Sequence, residues 1–406
     1  MIRENFKVYK ALIVGAGMSG LTASIILSKR FSGEDIALIE RLDRVGKKIL
    51  STGNGQCNLT NLVSNTIHYH SNVEGFYIPT LEKFPNTSMI EFFNNLGVLT
   101  TVNDNKVYPL SKQASSVLDA LRFKVQSLNV NCFLGSKVVK IEKQKHFKIT
   151  LDNGEVLYGE NVIFAVGGKS ASHLGTDGTS YSLVSSFGHK ITKLYPSLVQ
   201  LKTDKNQIKG MKGLKVLANV KAVLNNKVLT EKQGEVLFTD YGVSGNAIFY
   251  ISSYVVDNKA KLLLDLVPEL TTEELIDFLK KKQSLCSYLT LENALSGIIN
   301  NKIGCAVLRN SGKFDLLAPI TSVDVKSIVS LLKNYEIEVL ASMGFDNSQV
   351  TKGGIEVSDI NLNTLESKLT KGLYFAGEVL DVDGDCGGYN LWWAFSSASV
   401  VANSIK

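Results

Sequence analysis

The chain has 406 residues, of which 44% are apolar and 20% are charged, so it can bury a large core and form more than one compact unit. Its formal net charge of +6 is spread thinly, and its five cysteines follow no metal-ligand spacing. These features argue against a nucleic-acid partner, a metal site and a disulfide framework. No apolar run approaches the roughly 18 residues that a membrane helix needs. We therefore expect a reduced, cytoplasmic chain with no membrane partner, and the oligomeric state stays open.

The first predicted unit is a strand, a glycine-rich turn, a helix and a second strand within residues 11–40. Gly15, Gly17 and Gly20 form GxGxxG directly after a short β-branched run, and each has a task. The first makes the tight turn, the second lets the backbone approach a pyrophosphate, and the third lets helix and strand pack closely. The helix N-terminus offers free N–H groups to the phosphates. Glu40, at the tip of the second strand, can accept both ribose hydroxyls and would repel a 2′-phosphate, so the motif predicts FAD or NAD.

Residues 41–61 form a small, basic, glycine-rich loop whose backbone amides can make an anion-binding nest, although a plain surface loop is the alternative. Within it, Cys57 is either a reactive thiol of low pKa or a small packing residue. His68 and His70 follow as an isolated HxH. Without further ligands nearby, the pattern favours solvated or hydrogen-bonded histidines over a metal site.

The pattern of apolar residues changes at Tyr195. Before it, helical periodicity and alternating apolar residues predict helices over 88–96, 112–128 and 181–188 and strands over 130–133, 137–142, 147–151 and 161–168. After it, short strands alternate with turns, including a loop over 242–246, and helical periodicity dominates over 271–340, with Thr271 as a capping-box N-cap. We predict a discontinuous dinucleotide-binding domain (1–195 and 346–406) interrupted by an inserted domain (196–345) with a β unit (196–268) and a helical unit (269–345).

A second strand, loop and helix close the chain at residues 372–403. The predicted strand ends at Gly377-Glu378, a glycine-rich loop follows, and Asn390 is predicted to cap the last helix. The dipole of that helix can stabilise negative charge at N1 and O2 of a reduced flavin, and Glu378 can accept a hydrogen bond from a ribityl hydroxyl. The alternative is a capped terminal helix without a ligand. Trp392 and Trp393 are either helix core or the wall of a pocket.

Six sequence blocks, in order along nearly the whole chain, resemble the HI0933-like or BaiN-like family of bacterial NAD(P)/FAD-dependent oxidoreductases. The pair formed by Cys57-Asn58 and GGYN is much more specific than GxGxxG. The blocks are GAGMSG (15–20), GKKILSTGNGQCNLTN (46–61), FAVGGKS (164–170), FTDYGVSGNA (238–247), TKGGIEV (351–357) and LYFAGEVLDVDGDCGGYN (373–390).

The resemblance implies an α/β fold with a Rossmann-like FAD-binding domain interrupted by an inserted β-barrel-like plus helical domain. It implies non-covalent FAD, with Val138 meeting the adenine through its backbone. The expected cofactor residues are Gly15, Gly17, Met18, Ser19, Gly20, Glu40, Arg41, Lys48, Ser51, Thr52, Gly53, Asn58, Val138, Ala165, Gly167, Gly377, Glu378, Gly388, Tyr389, Asn390 and Leu391. The chain departs from the family at Gln56 (usually Arg), Asn246 (Pro), Trp392 (Gln) and Ala398 (Gly), which bears on the substrate more than on FAD.

The leading hypothesis is an FAD-dependent oxidoreductase that accepts hydride from NAD(P)H and acts on a small organic substrate such as an enone or oxo-steroid. Only one complete GxGxxG is present, so NAD(P)H would visit the flavin transiently. The alternatives are an amine oxidase of the aminoacetone oxidase type, a flavoenzyme acting on tRNA and a non-catalytic FAD sensor. No catalytic acid or base is assigned; Tyr389, Asp381 and Asp383 are the best candidates because they flank the expected flavin loop.

Overall fold

A computed structural model describes residues 6–255 and 260–406. The chain divides into two compact units, one formed by the residues up to Tyr195 together with Val350–Lys406, and the other by Pro196–Gln349. Within the described ranges, no helix has both the length and the apolar character needed to cross a bilayer.

The first 197 residues contain eleven strands and five helices in the described range. The strands are β1 (Val8–Val14), β2 (Ile36–Ile39), β3 (Thr60–Asn61), β4 (Tyr69–His70), β5 (Thr100–Asn103), β6 (Lys106–Pro109), β7 (Asn131–Phe133), β8 (Val138–Lys143), β9 (Phe147–Leu151), β10 (Val156–Phe164) and β11 (Tyr195–Ser197). The helices are α1 (Met18–Leu27), α2 (Ile78–Lys83), α3 (Asn86–Asn95), α4 (Ala114–Ser127) and α5 (Tyr181–Ser185).

The rest of the chain is described in the same order. The strands are β12 (Leu201–Thr203), β13 (Lys215–Leu224), β14 (Lys227–Phe238), β15 (Gly242–Ser244), β16 (Lys261–Asp265), β17 (Tyr335–Ser342), β18 (Val350–Lys352), β19 (Leu373–Phe375) and β20 (Asp383–Gly384). The helices are α6 (Asn246–Val255), α7 (Thr272–Leu285), α8 (Leu291–Ala294), α9 (Asn301–Asn310), α10 (Val325–Lys333) and α11 (Tyr389–Ser404).

The first unit is built on a seven-stranded sheet of order β7-β2-β1-β10-β9-β8, in which β19 also pairs with β10. Strands β7, β2, β1, β10 and β19 run parallel, whereas β10 meets β9 antiparallel through its first residues. Strands β1 and β2 are almost wholly buried, as parallel strands covered on both faces must be. The carboxyl ends of β1 and β19 therefore lie at the same edge, where open α/β sheets place their ligands.

The second unit is a closed barrel of order β12-β15-β14-β13-β16-β17 with antiparallel pairing throughout. Two sequence predictions fail here. Residues 242–246 are not a loop, because β15 pairs with both β12 and β14 and helix α6 begins at Asn246. The helical region ends at Lys333, because Tyr335–Ser342 alternates buried and exposed residues as a strand and closes the barrel. The capping box at Thr271 is present as predicted.

Each unit has its own apolar core. In the first unit, α11 packs against α1, and both helices are buried along almost their whole length. Trp392 and Trp393 are each 1% exposed and belong to this core. Their indole N–H groups donate to the carbonyls of Phe84 and Gly377, so both rings are fixed rather than free to wall a pocket.

Candidate functional site

The GxGxxG segment after β1 has two glycines that the backbone demands, Gly15 and Gly20, and one that faces open space, Gly17. A Cβ on Gly15, whose φ is +100°, would collide with the carbonyl of Ala165, and a Cβ on Gly20 would collide with the carbonyl of Gly15. At Gly17 no described atom lies within 4 Å of the Cβ position. Gly17 is also the N-cap of α1, and no described side chain caps that helix. The first turn of α1 thus offers N–H groups beside a space that a phosphate can enter.

Glu40 holds its carboxylate at the end of β2, pointing back to the glycine loop. One oxygen accepts the N–H of Ala16 at 2.9 Å, and the other accepts the N–H of Leu42 at 3.0 Å. Each carboxylate oxygen keeps a further lone pair for a ligand hydroxyl. The backbone N–H of Ser136, two residues before Val138 and the start of β8, donates to the backbone carbonyl of Glu40 at 2.9 Å.

Arg41, the next residue, forms an ion pair. Its guanidinium lies 2.7 Å from the carboxylate of Asp177. Burial opposes ionisation of Asp177, but hydrogen bonds from Thr179 and Arg41 lower its pKa to about 2. The pair ties the segment after β2 to the loop that follows β10, so Arg41 has a structural partner that the sequence did not indicate.

Lys48, Gly167 and Glu378 come together although they are far apart in sequence. The Lys48 ammonium lies 2.8 Å from one oxygen of Glu378, and the N–H of Thr351 donates to the other oxygen at 2.8 Å. A Cβ on Gly167 would sit 3.8 Å from Glu378 and 2.7 Å from the Thr176 methyl. Sequence reasoning missed Thr351, whose hydroxyl also accepts the N–H groups of residues 169 and 170. Its signal was its position at the start of the TKGGIEV block.

The loop over residues 49–58 folds as an irregular turn. Gly53 and Asn54 both have left-handed backbone angles, and the hydroxyls of Ser51 and Thr52 donate to carbonyls three residues back. Of the two alternatives for Cys57, the structure supports the packing residue and not the reactive thiol. Its side chain is fully buried, and desolvation raises its pKa to about 12 despite a hydrogen bond with Thr52.

Gly388, not Asn390, is the N-cap of the last helix, which begins at Tyr389 rather than Leu391. The Asn390 amide instead accepts the N–H of Gly384 at 2.9 Å and donates to its carbonyl at 2.7 Å. Gly388 has φ +96°, and a Cβ there would lie 2.7 Å from the backbone of Thr60. The sequence identified the glycine-rich loop correctly but assigned the capping role to the wrong residue.

The two strand-loop-helix units meet at Gly377. A Cβ on Gly377 would run into the hydroxyl of Ser19 in the first turn of α1. The N–H of Gly377 donates to Ser397 of α11 at 2.9 Å. The first turn of α1 therefore abuts the end of β19, and the first unit brings the predicted residues of both chain ends to one edge of the sheet.

The remaining predicted residues have defined neighbours. Met18 lies within the buried first turn of α1, with its sulfur accepting from Thr22. Ala165 follows β10 and donates its N–H to the carbonyl of Val14. The Tyr389 hydroxyl donates to the carbonyl of Val63 at 3.1 Å, and burial raises its pKa to about 12. Leu391 is partly buried against the core.

A cluster of acids and histidines lies beside the 383–388 loop. His68 Nδ1 and His70 Nε2 each donate to a different oxygen of Asp385 at 2.9 Å. The sequence prediction of hydrogen-bonded histidines fits this arrangement, but it did not identify Asp385, which the paired acids of the DVDGD segment could have suggested. Among the described residues, no group of three or more His, Cys, Asp or Glu is arranged to hold a metal ion.

The residues present fit a flavin dinucleotide. The space at Gly17 suits a pyrophosphate, and Glu40 suits a ribose. The buried side-chain oxygens Asn58 Oδ1, Thr60 Oγ1 and Asp383 Oδ2 find no hydrogen-bond partner within the described residues. Buried polar atoms are rarely left unpaired in a native protein, so these oxygens can take hydrogen bonds from a polar ligand.

Comparison with known proteins decides the family. A family model described as the HI0933-like protein Rossmann domain matches residues 9–404. The chain belongs to the HI0933-like family. This confirms the family resemblance, the Rossmann-like α/β fold class and the expected class of enzyme, a flavin-dependent oxidoreductase.

Three similarities give the range of relatives. The chain is 34% identical to the 3-dehydro-bile acid delta(4,6)-reductase of Clostridium scindens, over 95% of this chain and 96% of that protein. It is 29% identical to the ribosomal RNA dihydrouridine synthase of Haemophilus influenzae, over 97% of this chain and 98% of that protein. It is also similar to the solved 3-ketosteroid-delta4-(5alpha)-dehydrogenase of Rhodococcus jostii, with a TM-score of 0.47, 13% identity and 99% and 97% of the two chains covered.

Proposed function

We propose that the chain is an FAD-dependent reductase of a carbon–carbon double bond conjugated to a carbonyl, with a steroid-type enone as substrate and NAD(P)H as the source of hydride. The observation that carries the proposal is 34% identity over 95% of the chain with a reductase of 3-dehydro bile acids. The family gives the flavin chemistry, and the relative supplies the substrate class.

FAD would be held at the edge of the sheet where the two helix N-termini lie. The glycine loop and Ser19 would hold the pyrophosphate, and Glu40 the adenosine ribose. Lys48, Gly167 and Glu378 would lie along the ribityl chain, while Asn58 and the 388–391 segment would meet the flavin ring. When bound, the flavin supplies reversible hydride chemistry. The protein's part is to orient that ring, to exclude water and to provide a proton.

The Lys48–Glu378 pair has a defined task in this proposal. Both side chains are partly buried, at 23% and 18% exposure, and Thr351 fixes the second carboxylate oxygen. The pair is therefore held in one geometry before any ligand arrives, and a preorganised ion pair loses little entropy when a cofactor hydroxyl bonds to it.

A second candidate is reduction of uridine in ribosomal RNA. It is favoured by 29% identity, over 97% and 98% of this chain, to ribosomal RNA dihydrouridine synthases of Haemophilus influenzae and Escherichia coli. The two candidates share their chemistry, because dihydrouridine arises by saturation of a ring double bond conjugated to a carbonyl. They differ in what must be bound, since RNA requires contacts to phosphates that a bile acid does not.

One experiment separates the candidates. The purified holoenzyme is incubated without oxygen with NADH or NADPH and, in separate reactions, a 3-dehydro bile acid with 4,6-double bonds or unmodified ribosomal RNA. Mass spectrometry then counts the hydrogens added to each. We expect the bile acid to gain two hydrogens per reduced bond while the RNA stays unchanged. Dihydrouridine in the RNA with an unchanged bile acid would favour the second candidate and overturn the first.

A further inference from the structure

Two histidines and a buried carboxylate link the protein surface to the interior beside the 383–388 loop. The side chain of Asp385 is 4% exposed, whereas those of His68 and His70 are 26% and 27% exposed. A carboxylate only accepts hydrogen bonds, so both imidazoles present N–H groups to it. One buried carboxylate thus positions two imidazoles that solvent can reach.

Asp383 lies next to this cluster. Strands β20 and β4 pair antiparallel, with Asp383 opposite His70. Its side chain is 2% exposed, and its Oδ2 atom has no hydrogen-bond partner within the described parts of the chain. A buried carboxyl oxygen without a partner can still form a hydrogen bond with a ligand.

Four titratable groups face Asp383: two that are positive when protonated, His70 and Lys352, and two carboxyl groups, Asp381 and Asp385. Burial raises the pKa of Asp383 to about 7; nearby His70 and Lys352 oppose this shift, and Asp381 and Asp385 add to it. For His70, burial opposes protonation, but the hydrogen bond to Asp385 and the charges of Asp383 and Asp385 raise its pKa overall, with Lys352 acting against them. Asp383 can therefore exchange a proton near neutral pH, and His70 keeps its proton to a higher pH than an ordinary imidazole.

We propose that Asp383 is the proton donor for the double-bond reduction and that His70, held by Asp385 together with His68, returns the proton from solvent. The inference rests on the proposed function. Saturating one bond adds a hydride to one carbon, which a bound flavin would supply, and a proton to the other. The Asp383 carboxyl group loses that proton and becomes a carboxylate. It takes a proton from the His70 imidazolium, which regains one from water.

The position of Asp383 suits this role. The loop that carries it leads directly into α11, and the Asn390 amide fixes the intervening Gly384 on both sides. Tyr389, the first residue of that helix, stacks on His68 with 4.5 Å between ring centroids. These contacts hold the proton-bearing groups beside the first turn of α11.

The first test measures whether the Asp383 carboxyl group is protonated, without requiring turnover. Infrared difference spectra of the holoenzyme are recorded between about pH 5 and pH 9, a range that spans the normal and raised carboxyl values. We expect a protonated-carboxyl band that disappears with a midpoint near the pKa of about 7. The band should be missing in Asp383→Asn and retained in His189→Gln, which alters another buried histidine, bonded to Ser367. A band unchanged in Asp383→Asn would overturn the assignment.

The second test separates proton supply from electron transfer. Reduced holoenzyme is mixed with the 3-dehydro bile acid or with ferricyanide, an acceptor that takes electrons and needs no proton from the protein. We expect Asp383→Asn to slow oxidation by the bile acid at least about 100-fold, the usual scale of general acid catalysis, and to leave oxidation by ferricyanide unchanged. His70→Gln should shift the pH profile of the bile acid reaction, and His189→Gln should not.

The outcomes distinguish the two proposals. If Asp383→Asn oxidises with the bile acid as fast as wild type and with the same pH profile, Asp383 is not the donor, whatever the substrate. If the wild-type protein leaves the bile acid unreduced, the proposed function fails. The infrared titration then still decides whether Asp383 holds a proton at neutral pH.

Discussion

Gly17 and Gly20 are glycines for different physical reasons. Gly17 leaves space for a ligand, and Gly20 allows the backbone to pack closely. No described atom approaches a Cβ at Gly17, and its φ of −80° suits any residue. A Cβ at Gly20 collides with the Gly15 carbonyl. The free energy of unfolding and the affinity for the cofactor should therefore respond to separate substitutions.

We predict that Gly17→Ala leaves the thermal stability of the cofactor-free protein unchanged and weakens FAD binding at least about tenfold, or about 1.4 kcal/mol. The matched variant Gly20→Ala should lower the free energy of unfolding by about 1–3 kcal/mol through overpacking. Thermal melting with and without added FAD measures both effects. Equal FAD affinity in Gly17→Ala and wild type would show that the pyrophosphate does not approach this residue.

The raised pKa of Asp383 also predicts how the free energy of unfolding depends on pH. Its pKa is raised in the folded protein, from 3.8 to about 7, so the folded state binds more protons than the unfolded state between these values. Stability from this group is present at low pH and is lost as pH rises through that window. The rise of the Asp383 pKa from 3.8 to about 7 contributes at most about 4 kcal/mol to the free energy of unfolding. The raised pKa of His70 acts in the same direction above about pH 6.5.

The measurement is urea unfolding across about pH 4 to pH 8, the window in which the two states differ in bound protons. We expect the stability of Asp383→Asn to fall less steeply with rising pH than that of wild type, and the slope for His189→Gln to match wild type. Parallel curves for Asp383→Asn and wild type would mean that Asp383 is not protonated in the folded protein.

At the scale of elements, the start of α11 depends on a close backbone crossing. Gly388 combines φ +96° with a Cβ position 2.7 Å from the Thr60 backbone in β3. Gly97 has a similar φ of +82° but no described atom within 4 Å of its Cβ position. The two glycines thus separate the cost of the backbone angle from the cost of the crossing.

We predict that Gly388→Ala destabilises the protein by more than Gly97→Ala, for which a left-handed backbone alone costs about 1–3 kcal/mol. Because β3 would have to move, the cofactor site should also be disturbed, and FAD retention should fall only in Gly388→Ala. Denaturant unfolding and the flavin content of the purified variants provide the readouts. Equal losses of stability in Gly388→Ala and Gly97→Ala would show that the close contact with Thr60 does not contribute to stability.

The sequence predicts features that depend on neighbouring residues and misses features that depend on residues far apart along the chain. The glycine motif, the buried strands and the capping box at Thr271 are local patterns, and the structure has them where they were expected. The N-cap at Gly388 and strand β17 were missed, since both depend on distant partners: Thr60 for the first and the barrel strand β12 for the second. Thr351 and Asp385 were missed for the same reason, because their roles exist only through contacts with Glu378 and with the two histidines.

At the scale of the whole molecule, residues 196–349 form a unit with its own core and a barrel that closes on itself. Its two ends lie side by side, because the N–H of Gln349 donates to the carbonyl of Leu198 and that of Met343 to the carbonyl of Gln200. A unit with a separate core and adjacent termini has the features of an inserted domain.

We predict that a chain of residues 196–349 alone folds, with a single cooperative thermal transition and native-like β-sheet circular dichroism. The complementary chain, in which a short glycine-rich linker replaces this segment, should still bind FAD, because the predicted cofactor residues all lie in the first unit. A fragment that stays unfolded would show that the barrel depends on the rest of the protein.

The proposed reaction adds hydride and proton across a conjugated double bond. The most direct measurement is to reduce the bound flavin with NADH or NADPH without oxygen and then mix the enzyme with one equivalent of a 3-dehydro bile acid carrying 4,6-double bonds, following the flavin absorbance. We predict rapid return of the oxidised flavin spectrum, with one double bond saturated per flavin. A flavin that stays reduced in the presence of this steroid, but is reoxidised by oxygen, would contradict it.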